Sequence, residues 1–204
     1  MAEIEYFFTH ISPWTYLGHR AFLDLAKAHG AKVVFRPMIL SKVFANSGAQ
    51  PLAERPKARQ EYRLMELQRW RDRRGLPLNL KPKHFPTSPG LADRAAIALL
   101  AAGEDPGDFS EAIMAACWVE EKDIADPAVV KEKLTAAGHD AERVLAEADA
   151  DAAKATHEKN SADAVAINAI GAPTYVLNGE TFWGQDRLDL LGDALASRRA
   201  PFRP

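Results

Sequence analysis

The stretch Phe7-Phe8-Thr9-His10-Ile11-Ser12-Pro13-Trp14-Thr15-Tyr16-Leu17-Gly18 decides the fold. A strand-like run from Glu3 to Phe8 gives way to a short loop and then to helical spacing. Ser12 suits an N-cap, because its side-chain oxygen can accept one of the N–H groups that a first turn leaves orphaned. Pro13 suits the first helical position, where its missing N–H costs nothing. Leu17, Ala21, Leu25 and Ala28 then share a face, and Gly30 ends the helix. Lys32-Val33-Val34-Phe35-Arg36 reads as a second strand closed by Pro37. Strand, helix and strand in this short span predict a βαβ unit with parallel strands and a right-handed crossover.

Outward from that unit the character changes. Met38 to Phe44 carries no clear signal. From Arg55 to Lys83 basic residues outnumber acids, with Tyr62, Leu64, Met65, Leu67 and Trp70 inside a helical pattern; a solvated helix face is the ordinary reading. Leu76 to Pro89 is proline-rich and irregular, and Leu91, Ala95, Ala98 and Ala102 mark an amphipathic helix. Asp105-Pro106 and Asp126-Pro127 each read as N-cap plus first position of a helix. Asp140 to about His157 reads as one further helix. Strand signals return at Thr174 to Leu177 and Glu180 to Trp183, and Asn178-Gly179 between them is a strong hairpin signal. A last helix is expected from about Gln185 to Ser197. This order gives an α/β chain whose strand-bearing parts, 1–45 and 161–204, are split by an all-helical insertion over 46–160.

Composition narrows the function classes. The 204 residues are 47% hydrophobic and 26% charged, as in ordinary globular chains, and the net charge of −2 favours neither nucleic acid nor anionic membrane. No apolar run approaches the roughly 20 residues of a membrane span. Met1 leads directly into strand-like sequence, so no basic, apolar presequence is expected. The single cysteine, Cys117, excludes an intramolecular disulfide and suits a reducing, cytoplasmic setting. The six histidines are scattered, so no metal set is expected.

Two distant stretches then read together. Ser12-Pro13-Trp14-Thr15 at a helix start and Ile170-Gly171-Ala172-Pro173-Thr174-Tyr175-Val176, a proline entering a strand, resemble the thioredoxin-like fold. In that fold a C-x-x-C occupies the helix start opposite a cis-proline. No cysteine stands here, and disulfide exchange needs a thiolate, so redox chemistry of the chain's own is excluded at this position. With Phe182-Trp183-Gly184-Gln185-Asp186-Arg187-Leu188-Asp189, the chain resembles the glutathione-dependent 2-hydroxychromene-2-carboxylate isomerases, relatives of kappa-class glutathione transferases, along nearly its whole length. The resemblance implies a thioredoxin-like fold with a large helical insertion, glutathione as cofactor, a small aromatic carboxylate as substrate and a homodimer. It also implies catalysis through Ser12 and glutathione held by Ala172, Pro173, Trp183, Gln185 and Asp186. Trp14, His84 and Phe85 are candidates for lining the substrate pocket. One departure stands out: where the family carries Gly-Asn before Gln-Pro, this chain reads Gly48-Ala49-Gln50-Pro51, leaving Asn46 as the substitute or the contact missing.

Each of these residues also has a plainer reading. Ser12 is a helix cap, Pro173 a tolerated strand start, and Gly184-Gln185-Asp186-Arg187 a cap with an acid in the first turn. A Ser12–His10 hydrolase is disfavoured: an extended i, i+2 pair does not fix a hydrogen bond, and the G-x-S-x-G elbow is absent. A better role needs no deprotonation of Ser12. Its hydroxyl can donate to a bound thiolate while the helix end adds positive charge. Lowering a thiol pKa from about 8.5 by about two units takes roughly 2.7 kcal/mol, within reach of one ionic hydrogen bond and one helix end. Rivals to the isomerase are a kappa-like transferase or peroxidase and a non-catalytic glutathione- or peptide-binding protein.

Overall fold

In the computed structural model, which describes residues 1–203, β1 (Glu3–Phe8) sits inside a four-stranded sheet ordered β2-β1-β3-β4. It runs parallel to β2 (Lys32–Pro37) with Tyr6 opposite Phe35, and antiparallel to β3 (Thr174–Leu177) with Tyr6 opposite Tyr175. The parallel pair is joined by α1 (Pro13–Ala28), as the sequence requires. β3 turns back into β4 (Glu180–Trp183) through Asn178 and Gly179, whose φ values of 52° and 79° are the paired left-handed conformations of a two-residue hairpin.

Alternation along β1 assigns its two faces. Ile4, Tyr6 and Phe8 pack with Phe22 and Ala26 of α1 and with Leu188, Leu191 and Ala194 of α9 (Leu188–Ser197). Tyr6 stacks on Phe8 at 4.5 Å and on Tyr175 at 5.4 Å between ring centroids. Phe7 points the other way, into a cluster with Met38, Val43, Ala164, Ala169 and Val176. Val43 comes from α2 (Leu40–Ser47) and Ala164 from α8 (Asp151–Ala166), so helices cover both faces of the sheet. Each large apolar side chain buried this way contributes about 1.5–3 kcal/mol.

The remaining helices lie between β2 and β3 in the chain: α3 (Lys57–Arg74), α4 (Gly90–Ala101), α5 (Gly107–Trp118), α6 (Pro127–Ala136) and α7 (Ala141–Asp149). They enclose a second core containing Leu67, Leu99, Phe109, Trp118, Leu134 and Val144, and Tyr16 and Leu17 of α1 are built into it. Helix α1 therefore belongs to two cores at once. Its turn nearest the sheet meets the strands, and its first residues meet the inserted helices. The expected α/β fold with helical insertion is present, and no helix among the described residues is long and apolar enough to cross a membrane.

Three local expectations are corrected. The single helix over 140–157 is two helices, α7 and α8, broken at Ala150 in extended backbone (φ −67°, ψ 152°). Arg94 explains the break: its Nε donates to the Ala148 carbonyl at 2.7 Å and its Nη2 to Asp149 at 3.1 Å, taking an acceptor that a continuous helix would use. The helix after Asp105 begins at Gly107, whose N–H the Asp105 carboxylate accepts at 2.8 Å. The last helix is preceded by a separate 3₁₀ turn, Gln185–Arg187.

Candidate functional site

Ser12 caps α1 as its sequence demands: its Oγ accepts from Thr15 N at 3.2 Å, and Pro13 follows at the first position. The same hydroxyl donates to the Ala172 carbonyl at 3.3 Å, across 160 residues. That long contact joins the two distant motifs. The peptide bond between Ala172 and Pro173 is cis. Ser12 is only 5% exposed and Ala172 7%. The Thr15 hydroxyl, fully buried three residues on, has no hydrogen-bond partner. Among the described residues, neither the Trp14 nor the Ala172 main-chain N–H has an acceptor.

The loop leading into Ser12 is held from behind. Asp93 of α4, fully buried, accepts from Thr9 Oγ1 at 2.8 Å, from His10 N at 3.0 Å and from His10 Nδ1 at 2.6 Å. Burial pushes the Asp93 carboxyl up, but hydrogen bonds and charge from His10 and His157 outweigh it and bring it to about 2. With Asp93 ionised, Nδ1 of His10 is the donor, and Nε2 lies 3.0 Å from Ser110 Oγ of α5. His157 Nε2 stands 3.6 Å from Asp93. Further along α1, His19 Nε2 donates to the Gly107 carbonyl at 3.0 Å and Nδ1 accepts from Tyr6 at 3.1 Å. Burial lowers the His19 pKa to about 4, so the ring is neutral. His10 is thus a buried strut and makes no recorded bond to Ser12. The sequence carried one weak signal for Asp93, an acid inside an alanine-rich helix.

The opposite wall is more open. Gly184 N donates to the Pro173 carbonyl at 2.9 Å, bringing the end of β4 against the Ala172-Pro173 segment. Gly184 has φ of 100°, and a Cβ there would meet the Asp186 carboxylate at 2.3 Å, which accounts for glycine. Trp183 is 49% exposed, and its Nε1 would be 3.0 Å from a Cβ on Gly171. Asp186 is half-exposed and pairs with Arg187 at 2.8 Å. Gln185 differs from its neighbours. It is buried, and Arg74 of α3 holds its side-chain oxygen through Nε at 3.1 Å and Nη2 at 2.9 Å, with Nη2 also reaching the Gln185 carbonyl at 3.0 Å. Its side-chain oxygen and its carbonyl are both occupied, which leaves the main-chain N–H to meet a ligand.

The structure joins Ser12 to Ala172 and, through the Gly184 N–H on the Pro173 carbonyl, links that segment to the end of β4 that carries Trp183, while Gln185, next to Asp186, packs against Gly18 of α1. Trp14 and Phe85 both pack on the helical core, and Phe85 meets Trp118 at 4.9 Å. His84 turns toward Asp123, 3.9 Å away. Asn46 is exposed near the end of α2 with no recorded side-chain hydrogen bond, whereas Ser47 donates to the Ile170 carbonyl at 3.1 Å. Cys117 is buried, and burial pushes its thiol up to about 12, so it is inert. No metal-holding group of His, Cys, Asp and Glu occurs among the described residues. Two surface concavities, of about 510 and 650 Å³, flank α1 beside α9 and beside the α4–α5 turn. Neither includes Ser12 or Ala172, so the chemistry, and not the size of a hollow, locates the site.

Glutathione fits the residues present. A capping hydroxyl, unpartnered N–H groups at Trp14 and Ala172 and a partly exposed carboxylate at Asp186 match a thiolate, a peptide backbone and an ammonium. Comparison with known proteins agrees with the fold. The chain is 28% identical over 192 residues to a 2-hydroxychromene-2-carboxylate isomerase from Sphingobium xenophagum, covering 92% of this chain and 95% of that one. It is 24% identical over 208 residues to glutathione S-transferase kappa 1 from Rattus norvegicus, covering 96% and 91%. A solved 2-hydroxychromene-2-carboxylate isomerase superposes with a TM-score of 0.73 at 24% identity, covering 96% of this chain and 95% of that one. The DSBA-like thioredoxin domain model matches residues 3–196, and the chain belongs to that family.

Proposed function

We propose that this protein is a glutathione-dependent isomerase that converts 2-hydroxychromene-2-carboxylate-type aromatic substrates to the trans-benzylidenepyruvate. The observation that carries the reading is the Ser12 hydroxyl, set at an N-terminus with a spare N–H and aimed at Ala172, whose own N–H has no partner. The chemistry that glutathione supplies when bound is reversible thiolate addition to a conjugated double bond, which permits rotation before elimination. In this reading Ser12 turns from the weak acceptor at Ala172 and donates to the sulfur. The N–H of Trp14 and the α1 dipole add positive potential. Ala172 pairs with the tripeptide main chain in β fashion, beside Pro173 and under Trp183. Asp186 takes the ammonium, and the main chain of Gln185 lies beside it. Trp14, His84 and Phe85 are proposed to border the aromatic substrate. The buried, lone Cys117 supports a cytoplasmic setting.

The test is a screen of ring-opened aromatic intermediates with and without glutathione. Turnover that requires glutathione without consuming it is expected. Full turnover in glutathione-free buffer ends the reading. Stoichiometric loss of glutathione would favour a kappa-like transferase, a second reading supported by similarity to the rat protein. Binding without turnover would favour a non-catalytic protein.

A further inference from the structure

Three cations of α3 are neutralised by a local carboxylate: Lys57 faces Glu61 at 3.6 Å, Arg71 bonds Asp72 at 3.0 Å, and Arg69 pairs with Glu66. Arg55, Arg59 and Arg63 are not. Arg55 lies in extended backbone before α3. Arg59 and Arg63 are four residues apart on it, a spacing at which like charges repel, and among the described residues none of the three has a carboxylate within salt-bridge reach. Arg63 sits over the ring of Phe85, 5.6 Å from its centroid, and Arg55 over the ring of Phe44 at 5.8 Å. Stacking a guanidinium on a ring leaves its planar edge of N–H donors pointing outward. Arg55 uses Nε on the Gln50 carbonyl at 2.8 Å, while Arg63 makes no recorded hydrogen bond. Burial, then the charge of Arg55, lowers the Arg63 pKa to about 10, and Arg55 is lowered by burial and by Arg59. Two partly desolvated cations repel one another here with no carboxylate to compensate them.

Their position gives this meaning. Phe44, under Arg55, would lie 3.6 Å from a Cβ on Gly171, next to the Ala172 carbonyl that Ser12 addresses. Phe85, under Arg63, is packed on the same helical core as Trp14. We infer that Arg63 and Arg55 form a subsite for the carboxylate of a planar, conjugated ligand whose apolar body lies between the Phe44 and Phe85 rings. A carboxylate accepts a guanidinium fork bidentately, and the flanking rings exclude water from it. The proposal rests on the isomerase reading only for which carboxylate is turned over; the subsite binds its anion without glutathione.

The probes are cinnamate and its neutral isostere cinnamamide, titrated by calorimetry against wild type, Arg63→Met, Arg63→Lys and Arg55→Met, with thermal melts confirming that each variant folds. Wild type should prefer cinnamate, with affinity falling as salt rises. Arg63→Met should weaken cinnamate about tenfold to a hundredfold, the loss expected for a charge-assisted bond, and leave cinnamamide unchanged. Arg63→Lys, which keeps charge but loses the fork, should fall between. Equal binding of the two probes, no binding of cinnamate by wild type, or full cinnamate affinity in both methionine variants overturns the subsite. Glutathione-dependent turnover with an unchanged KM in Arg63→Met would sink the subsite and spare the isomerase. Arg63-dependent cinnamate binding without any such turnover would do the reverse.

Discussion

Thr9 and His10, on the inner side of Ser12, are fully buried and bonded to Asp93, with Ser110 taking the far nitrogen of His10. Trp183 and Asp186, on the outer side, stay in solvent, and Asp186 bonds its neighbour Arg187. Between these regions Ser12 holds one strong role, capping α1, and one weak contact at 3.3 Å. The contrast separates two tasks. A saturated buried network fixes where the helix end sits, and an unsaturated rim leaves donors and acceptors to a ligand. Burying the rim as deeply would oblige it to bond within the protein, because unpaired buried polar groups are costly.

Asp93→Ala should be the most damaging change, removing the shared acceptor of three buried donors. A loss of about 3–5 kcal/mol is expected for one partner of a buried ionic pair, read by chemical denaturation. Asp93→Asn, which keeps one acceptor oxygen, should lose less. If Asp93→Ala melted like wild type, the inner network would be no stiffer than the rim. Asp186→Ala should show the opposite pattern, with stability changed by only about 0.3–1 kcal/mol and glutathione affinity lowered by about 1.5–3 kcal/mol. Calorimetric titration checks it, and an unchanged dissociation constant would remove Asp186 from the site.

Acid should sharpen the same comparison. The Asp93 carboxyl is depressed from 3.8 to about 2, so its contribution is fully present above the unfolded value and is lost as pH falls through the folded one. Linkage puts that contribution at about 2 kcal/mol. Denaturation midpoints should therefore drop between about pH 4 and pH 2 in wild type, and the Asp93→Asn variant should lack that component. A slope identical in both would show that the buried pair is energetically silent. Ser12→Ala should cost folding about 0.5–2 kcal/mol from the lost cap. Its informative readout is the thiolate absorbance of the glutathione complex against pH: the titration should move upward but not fully to the free-thiol value, because the helix end survives. Coincident curves would reduce Ser12 to a cap.

Much of the framework was legible because its signals are local. Ser12-Pro13, Asn178-Gly179 and the alternation of β1 each fix their own conformation within a few residues. Ser12 and Pro173 could be paired only by resemblance, since nothing local specifies a contact across 160 residues. Asp93 is not legible in sequence because its partners lie 83 and 84 residues away; on its own helix it is one acid among alanines. Arg74 reads in sequence as one more charge in a basic run, because the residue it bonds, Gln185, is 111 residues away. The break at Ala150 was hidden for the same reason, since the arginine that causes it belongs to another helix.

The ties from Arg74 and Asp93 bear on how this chain could be shortened. Both residues come from helices inserted between β2 and β3, yet one fastens the turn after β4 and the other the loop after β1. Excising those helices to obtain a minimal four-stranded version would strip Thr9, His10 and Gln185 of their acceptors and donors together. It would also uncover Tyr16 and Leu17, which are built into the helical core. A miniaturised scaffold would need replacements for all of these contacts before its first helix could end where Ser12 now stands.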